Sequence, residues 1–464
     1  MKKNEIIDTH SENTPEIVKF ADLCQQHNKI DELLYYRYNV KRGLRDMNGK
    51  GVLTGLTEIA EVKSYTIDDD EMVPCPGKLY YRGYNLDDLV KGFSKERRFG
   101  FEETAYLLIF GVLPTSAELK EFSEIISSYR TLPTNFVRDV VMKAPSKEMM
   151  NTLQRSVLTL YPYDSQADNV SIENVLRQCL QLTSIMPLLS VYGYQAFKHY
   201  KEGGSLVIHQ PQPHMGTAET ILHLLRDDSK FTKFEARVLD LCLVLHADHG
   251  GGNNSTFTNR VVTSTLTDTY SAIAASLASL KGPRHGGANV KVVNMMDDIQ
   301  KHVKDHKDDD AIRKYLEKIL RGKAYDRQGL IYGVGHAVYT ISDPRAVLLK
   351  KFVETLAEQK DAKETFDFYQ RVERLAPEVI MKNRKMYRAN ISINVDFYSG
   401  LVYRLLDLPE ELFTPLFAVA RMAGWTAHRL EELGTGGKII RPAYKNVARH
   451  TKYVPISKRV DGSL

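Results

Sequence analysis

The sequence predicts an all-α fold with minor β structure near the N-terminus, and three observations carry that prediction. Apolar residues recur at helical spacing along most of the chain. Glycine and proline punctuate those runs where helices should begin and end. Strand-like segments are short and confined mainly to the first fifth, at Lys50 to Tyr65 and Lys78 to Tyr84. At 464 residues the chain exceeds the size at which one core usually stops growing, so two domains and a large buried interior are expected.

Composition narrows the function classes. Hydrophobic residues make up 43% and charged residues 26%, ordinary values for a soluble globular protein. The richest apolar stretch, Leu182 to Phe197, is broken by Pro187, Gly193 and polar residues, unlike a membrane span. A net charge of +5 with no basic block argues against nucleic acid and suits an anionic small substrate. Cys24, Cys75, Cys179 and Cys242 are far apart, without a CxxC pair, and read as free thiols in a reducing compartment. The N-terminus carries Glu5, Asp8, Glu12 and Glu16 and no arginine before Arg37, unlike a signal or transit peptide, so a cytoplasmic location is expected.

The elements follow in order. FEETAYLLIF, with acids in its first turn and Gly111 after it, reads as a helix with a stop. Ala236 to His246 is apolar nearly all round and should be a buried helix ending where HADHGGG begins. Ala272 to Leu280, rich in small residues, permits close packing and leads to the loop Gly282-Pro283-Arg284-His285. An amphipathic stretch, Asn289 to Val303, follows. Lys301 to Asp310 is expected to be a solvated loop, with His302 and His306 on its surface. Ile312, Tyr315, Leu316, Ile319 and Leu320 then share one helix face, ending at Gly322.

The chemistry gathers at the breaks. His249 (HADHGGGNNS), His285 (GPRHGGAN) and His336 (GVGHAV) each stand beside glycines, and histidine shares protons near neutral pH. His246 and His249, three apart, leave three readings open: half of a metal site, a buried helix-capping histidine, or a glycine loop approaching an anion. GVGHAV lacks the third glycine and the strand of a dinucleotide fingerprint. Asp343 and Pro344 read as an N-cap and first helical position, placing Arg345 by a positive helix end suited to holding a carboxylate. A helix starting just after His285 should keep that ring neutral, able to donate a hydrogen bond to an enolate. Asp396, in NVDFYSG, sits among apolar residues, and desolvation should strengthen it as a base. Arg421 and Arg441 lie among apolar neighbours and each needs an anion, whether a substrate or a structural partner.

Taken together, LYYRGY at 79 to 84, ETAYLLIFGVLP at 103 to 114, HADHGGGNNS, GPRHGGAN, GVGHAVYTISDPR, NVDFYSG, Arg421 and Ile440-Arg441-Pro442 resemble the citrate and 2-methylcitrate synthase family. The resemblance implies a helical homodimer whose large domain, 1–286 plus 396–464, is closed over by a small domain, 287–395. It implies condensation of acetyl-CoA, a substrate, with oxaloacetate and water to give citrate and CoA, using neither metal nor redox cofactor. By it, His285 supports the enol, His336 polarises the oxaloacetate ketone and Asp396 removes the methyl proton. His249, Arg345 and Arg421 bind oxaloacetate and citrate, and Arg441 reaches the partner's site. Closure that protects the thioester from water implies ordered binding, oxaloacetate first. The chain departs from common patterns at Gly250, where many members carry glutamate, and at Thr340 and Ile341, where many carry a base for CoA phosphate; Arg45 is the candidate left for that phosphate. The alternatives are 2-methylcitrate synthesis from propionyl-CoA, a non-enzymatic acyl-CoA-binding protein, and a metal hydrolase built on His246 and His249.

Overall fold

The computed structural model describes residues 13–46, 50–68, 71–336, 338–384 and 390–459. Glu5, Asp8 and Glu12 lie outside them, as does Ala337 of GVGHAV. The chain divides into two units, residues 1–56 and 57–464. In the first, Thr14 caps the helix Pro15–His27 by accepting the N–H of Ile17, and Asp31 caps the short helix Glu32–Arg37. Ile17, Phe20, Leu33 and Tyr36 of this unit are exposed.

The second unit is mostly helical, with one antiparallel sheet of β1 (Ala60–Asp68), β2 (Glu71–Tyr81) and β3 (Tyr84–Asn85) in that order. Ala60 pairs with Tyr81 and Val62 with Leu79, and the register shifts between Lys63 and Tyr65. The first strand therefore begins ten residues later than the sequence suggested. Val52, Leu53 and Leu56 are exposed, and alternation alone makes no strand without a partner to receive its hydrogen bonds. Tyr81 links this sheet to the helical core: its buried hydroxyl lies 3.1 Å from the carbonyls of both Val244 and Asp248.

Two long helices organise the interior. Ile172–Glu202 runs unbroken for 31 residues with Pro187 inside it, so the proline and Gly193 interrupt the apolar run without interrupting the helix. It packs against Phe413–Gly434, whose buried face carries Phe417, Arg421, Trp425 and His428 at positions three or four apart. The helix Phe101–Phe110 stops at Gly111, left-handed at φ 83°, as its sequence predicts. Its start is capped from elsewhere. Gly100 has no side chain to offer, and the buried carboxylate of Asp240 accepts the N–H groups of Gly100 (2.6 Å) and Phe101 (3.2 Å).

The predicted helices before the histidine loops appear as Lys233–His246 and Thr269–Lys281, followed by Asn254–Thr263 between them and Ala288–His302 after them. Cys242 is core, as expected, and all four cysteines are free thiols. Ile312, Tyr315, Leu316 and Ile319 form the buried face of Asp309–Leu320. The charged tract before it is only partly a solvated loop. Val303 is buried, and Asp308 caps the new helix through the N–H groups of Asp310 and Ala311, so the acids serve a helix start. Among the described residues no helix is long and apolar enough to cross a membrane.

Gly424 is where the Phe413–Gly434 helix meets the turn after His246. Its N–H donates to the carbonyl of Ala247 (3.2 Å), and an added Cβ would lie 2.4 Å from Asp248 Oδ1 and 2.5 Å from that carbonyl. Gly424→Ala should destabilise the protein by about 1–3 kcal/mol through overpacking. Urea unfolding should show a lower midpoint at unchanged slope; an unchanged midpoint would mean the two elements are not rigidly apposed.

Candidate active site

The turn after Lys233–His246 carries His249. Asp248 Oδ2 accepts the N–H of Gly250 (2.9 Å), and Gly250 adopts φ 80°, a conformation that disfavours a glutamate there. The His249 ring is half-buried, while its Nε2 is inaccessible and has no partner among the described residues. Burial, with the cations of Arg345 and Arg421 nearby, pushes its pKa well down, so the imidazole is neutral. His246 is buried behind it, its Nδ1 2.8 Å from the Cys242 carbonyl and its ring 4.8 Å from that of Phe417.

His336 and Asp396 are brought together by a short pairing of two segments. Val334 bridges Ile393, Gly335 N–H donates to Ser392 O (2.7 Å) and Asn394 N–H to Gly333 O (2.9 Å). One segment then delivers His336, and the other delivers Asp396 as the first residue of the helix Asp396–Leu405. The Nδ1 of His336 accepts the N–H groups of Val338 (2.9 Å) and Tyr339 (3.1 Å), so the proton of the neutral ring is on Nε2, which becomes a donor. The His336 ring stands 5.3 Å from that of His249. Burial raises Asp396 to about 6 against the pull of Arg345, in the direction the sequence predicts.

Asp343 and Arg345 behave differently from expectation. Asp343 caps the helix Pro344–Gln359 as read from the sequence, but its carboxylate also grips the Arg345 side chain, Nε to Oδ1 at 3.0 Å and Nη2 to Oδ2 at 2.7 Å. The carboxylate that Arg345 holds is thus its own neighbour's, and only Nη1 lies outside the pair. Asp343 Oδ2 further accepts the N–H of Val395 (3.2 Å), just before Asp396.

His285 also receives its dipole from an unexpected helix. Its Nε2 lies 3.3 Å from the N–H of Ser255, in the first turn of Asn254–Thr263, not of the helix that follows it in sequence. That N–H makes Nε2 an acceptor and leaves the proton on Nδ1. Burial and the Arg421 charge lower its pKa to about 4. Trp425 Nε1 donates to Ser255 Oγ (3.3 Å) and holds the serine in place.

Arg421 is fully buried. Its Nε donates to His246 O (2.8 Å) and its guanidinium carbon lies 4.8 Å from the Phe417 ring centroid, yet Nη1 and Nη2 have no partner among the described residues. Burial drives its pKa down to about 10. A buried cation with two unmet donors calls for an anion, since such a group otherwise carries a large desolvation penalty. Beside His336 a cleft of about 390 Å³ opens, bordered by Val334, Gly335, Thr340 and Arg384.

Sequence reasoning missed two features. The first is a buried relay in which His428 Nδ1 accepts from Arg260 (Nη2 at 2.7 Å) and His428 Nε2 donates to Asp248 Oδ2 (3.2 Å), while Arg260 pairs with Glu431 and Glu432. It fixes the turn that carries His249. Its signal was polar Arg429 and His428 on an otherwise apolar helix. The second is Tyr339, whose ring packs against those of both His249 (5.6 Å) and His336 (4.8 Å). One named residue stands apart from the cluster. Arg441 is exposed on the extended segment after Phe413–Gly434, next to Ile440, whose N–H donates to Ser264 Oγ (3.1 Å). Arg45, exposed and bridged to Gly51, belongs to the N-terminal unit.

Residues 47–443 match the family model described as citrate synthase, C-terminal domain. A citrate synthase of Synechocystis sp. is 37% identical over 386 residues, covering 83% of this chain and 89% of that protein. A protein of Corynebacterium glutamicum named 2-methylcitrate synthase 1 is 31% identical, covering 90% and 98%. Among solved structures, the ternary complex of citrate synthase from Thermoplasma acidophilum with carboxymethyl coenzyme A and oxaloacetate superposes with a TM-score of 0.73 at 26% identity, over 90% of this chain and 99% of that one. The all-α fold thus has its counterpart in solved citrate synthases, and this chain belongs to the citrate synthase family.

Proposed function

We propose that the chain condenses acetyl-CoA with oxaloacetate and water to give citrate and CoA. The observation that carries this reading is Arg421, a buried guanidinium whose Nη1 and Nη2 have no partner among the described residues and whose charge helps keep the imidazoles of His246, His249 and His285 neutral. Oxaloacetate supplies the missing anions: one carboxylate for Arg421, the other for the free edge of Arg345, with His249 Nε2 between them. The relatives named citrate synthase support the same substrates.

The roles follow from the tautomers. A thioester methyl is a very weak carbon acid, so Asp396 removes its proton while His285 Nδ1–H stabilises charge growing on the thioester oxygen. The enol carbon attacks the oxaloacetate ketone carbon, and His336 Nε2–H donates to the ketone oxygen, which becomes the hydroxyl of citryl-CoA. Water then cleaves the thioester, releasing citrate and CoA. Neutral histidines suit this work because they donate hydrogen bonds without fixed charge. In this reading the CoA arm enters the cleft beside His336, residues 287–395 close as a small domain, and Arg441 of a second copy completes the site in a cytoplasmic homodimer. The chemistry calls for neither metal nor redox cofactor. Oxaloacetate binds first, because its carboxylates neutralise the cluster before the thioester arrives.

The Corynebacterium relative makes propionyl-CoA the competing donor, since one methylene alters pocket fit without altering the catalytic groups. The test is loss of thioester absorbance when oxaloacetate is mixed with acetyl-CoA or propionyl-CoA in the presence of chelator. Preferred turnover of acetyl-CoA supports the proposal, propionyl-CoA preference moves it to 2-methylcitrate, and no turnover of either by folded protein rejects both. Asp396→Asn should lower kcat by roughly 10²–10⁴-fold without lowering the melting temperature at pH 7.5. The sign is fixed by the raised folded pKa: an ionised buried carboxylate works against folding above pH 6, and the amide removes that charge. For the same reason kcat/KM should hold above pH 6 and fall as Asp396 takes up a proton, an acid limb near 6 rather than near 4. A limb near 4 would show that burial does not raise Asp396, and an acid limb that persists in the Asp396→Asn variant would remove it from the base role.

A further inference from the structure

Tyr339 is unexplained by the roles above. Its side chain is 1% exposed, and its hydroxyl is inaccessible and without a hydrogen-bond partner among the described residues. A buried phenol normally finds a partner, because leaving it unmet forfeits its hydration with nothing in return. The ring is held where substrate groups converge. It stands edge-on to His249 with centroids 5.6 Å apart, tilts 32° to His336 at 4.8 Å, and lies 5.9 Å from the Arg345 guanidinium carbon. Behind it, β2 allows no room: a Cβ on Gly77 would fall 2.4 Å from the Tyr339 ring, and Gly77 N–H donates to Ser342 O (3.1 Å), fastening this segment to the sheet. The Tyr339 hydroxyl, the Nε2 of its ring neighbour His249 and both Nη atoms of Arg421, whose charge acts on His249, are all buried polar groups without a partner among the described residues. Burial also raises the phenol well above its ordinary range, so it remains a donor.

We infer that the Tyr339 hydroxyl is a further ligand of the oxo-dicarboxylate, donating a hydrogen bond to one of its oxygens alongside His249 and Arg421. This rests on the proposed function and adds a residue to it. Because the ring is wedged by Gly77 and two imidazoles, the donor is oriented before substrate arrives, which favours affinity and discrimination. A site built to hydrogen-bond a particular group loses most when that bond is removed.

The test is Tyr339→Phe, which keeps the ring and removes only the oxygen, with oxaloacetate binding measured by titration calorimetry on full-length protein. The expected result is a dissociation constant raised roughly ten- to hundredfold, the range for a hydrogen bond to a charged group. The KM for acyl-CoA at saturating oxaloacetate should stay within about twofold, and the unliganded melting temperature should not fall. A purely structural hydroxyl would instead lower the melting temperature and weaken both substrates. Unchanged oxaloacetate affinity in the folded variant would overturn the inference while leaving the proposed function intact. Failure of the unaltered protein to bind oxaloacetate would overturn the proposed function and this inference with it.

Discussion

One carboxylate, that of Asp343, sets the geometry of the cluster. Its Oδ1 accepts both the backbone N–H and the Nε of Arg345; its Oδ2 accepts Nη2 of Arg345 and the N–H of Val395. A helix start, a guanidinium and the segment leading to Asp396 are thereby referred to one group with no exposed side-chain surface. Burial pushes that carboxyl up, but the charge and hydrogen bonds of Arg345 outweigh it and hold it below the usual carboxylate range. Buried ion pairs of this kind add little net stability, because desolvation offsets most of the attraction. What this pair supplies is orientation: Arg345 cannot turn away, and the segment leading to Asp396 is tied to the same carboxylate.

The charge balance of the site follows from the same constraint. Arg345 is paired with Asp343, whereas Arg421 feels the buried Asp248 carboxylate without a hydrogen bond from either Nη to any described residue. Burial, and after it the neighbouring arginine charges, depresses His249 and His285 and keeps both rings neutral. At Asp396 burial raises the carboxyl against the opposing charge of Arg345. Donors, cations and one carboxylate of raised pKa are thus assembled in advance, the preorganisation that the proposed condensation would use. The relay from Arg260 through His428 to Asp248 supports this arrangement from behind, holding the turn of His249 without touching the buried space.

Much of this was legible along the chain. The helix stop at Gly111, the N-cap at Asp343, the buried helix ending in HADHGGG, and the raised basicity of Asp396 are local consequences of glycine, capping and apolar neighbours. The features that escaped are those made by segments distant in sequence. His285 takes its dipole from Ser255, thirty residues earlier; His428 meets Asp248 across 180 residues; Gly100 borrows its cap from Asp240. Tyr339 reads as an ordinary aromatic until its unmet hydroxyl and its imidazole neighbours are seen together. Arg345 was read as a holder of a substrate carboxylate, and local sequence gave no sign that its partner among the described residues would be Asp343.

The central claim is that the unmet donors around Arg421 form a ready-made site for a dianion. Thermal unfolding with and without oxaloacetate tests it most directly, with pyruvate, which has the same ketone and one carboxylate, as the control. A ligand that binds only the folded state raises its melting temperature in proportion to its affinity and concentration. The account predicts a clear rise with oxaloacetate and little or none with pyruvate at equal concentration. No rise with oxaloacetate, or an equal rise with both, would contradict it.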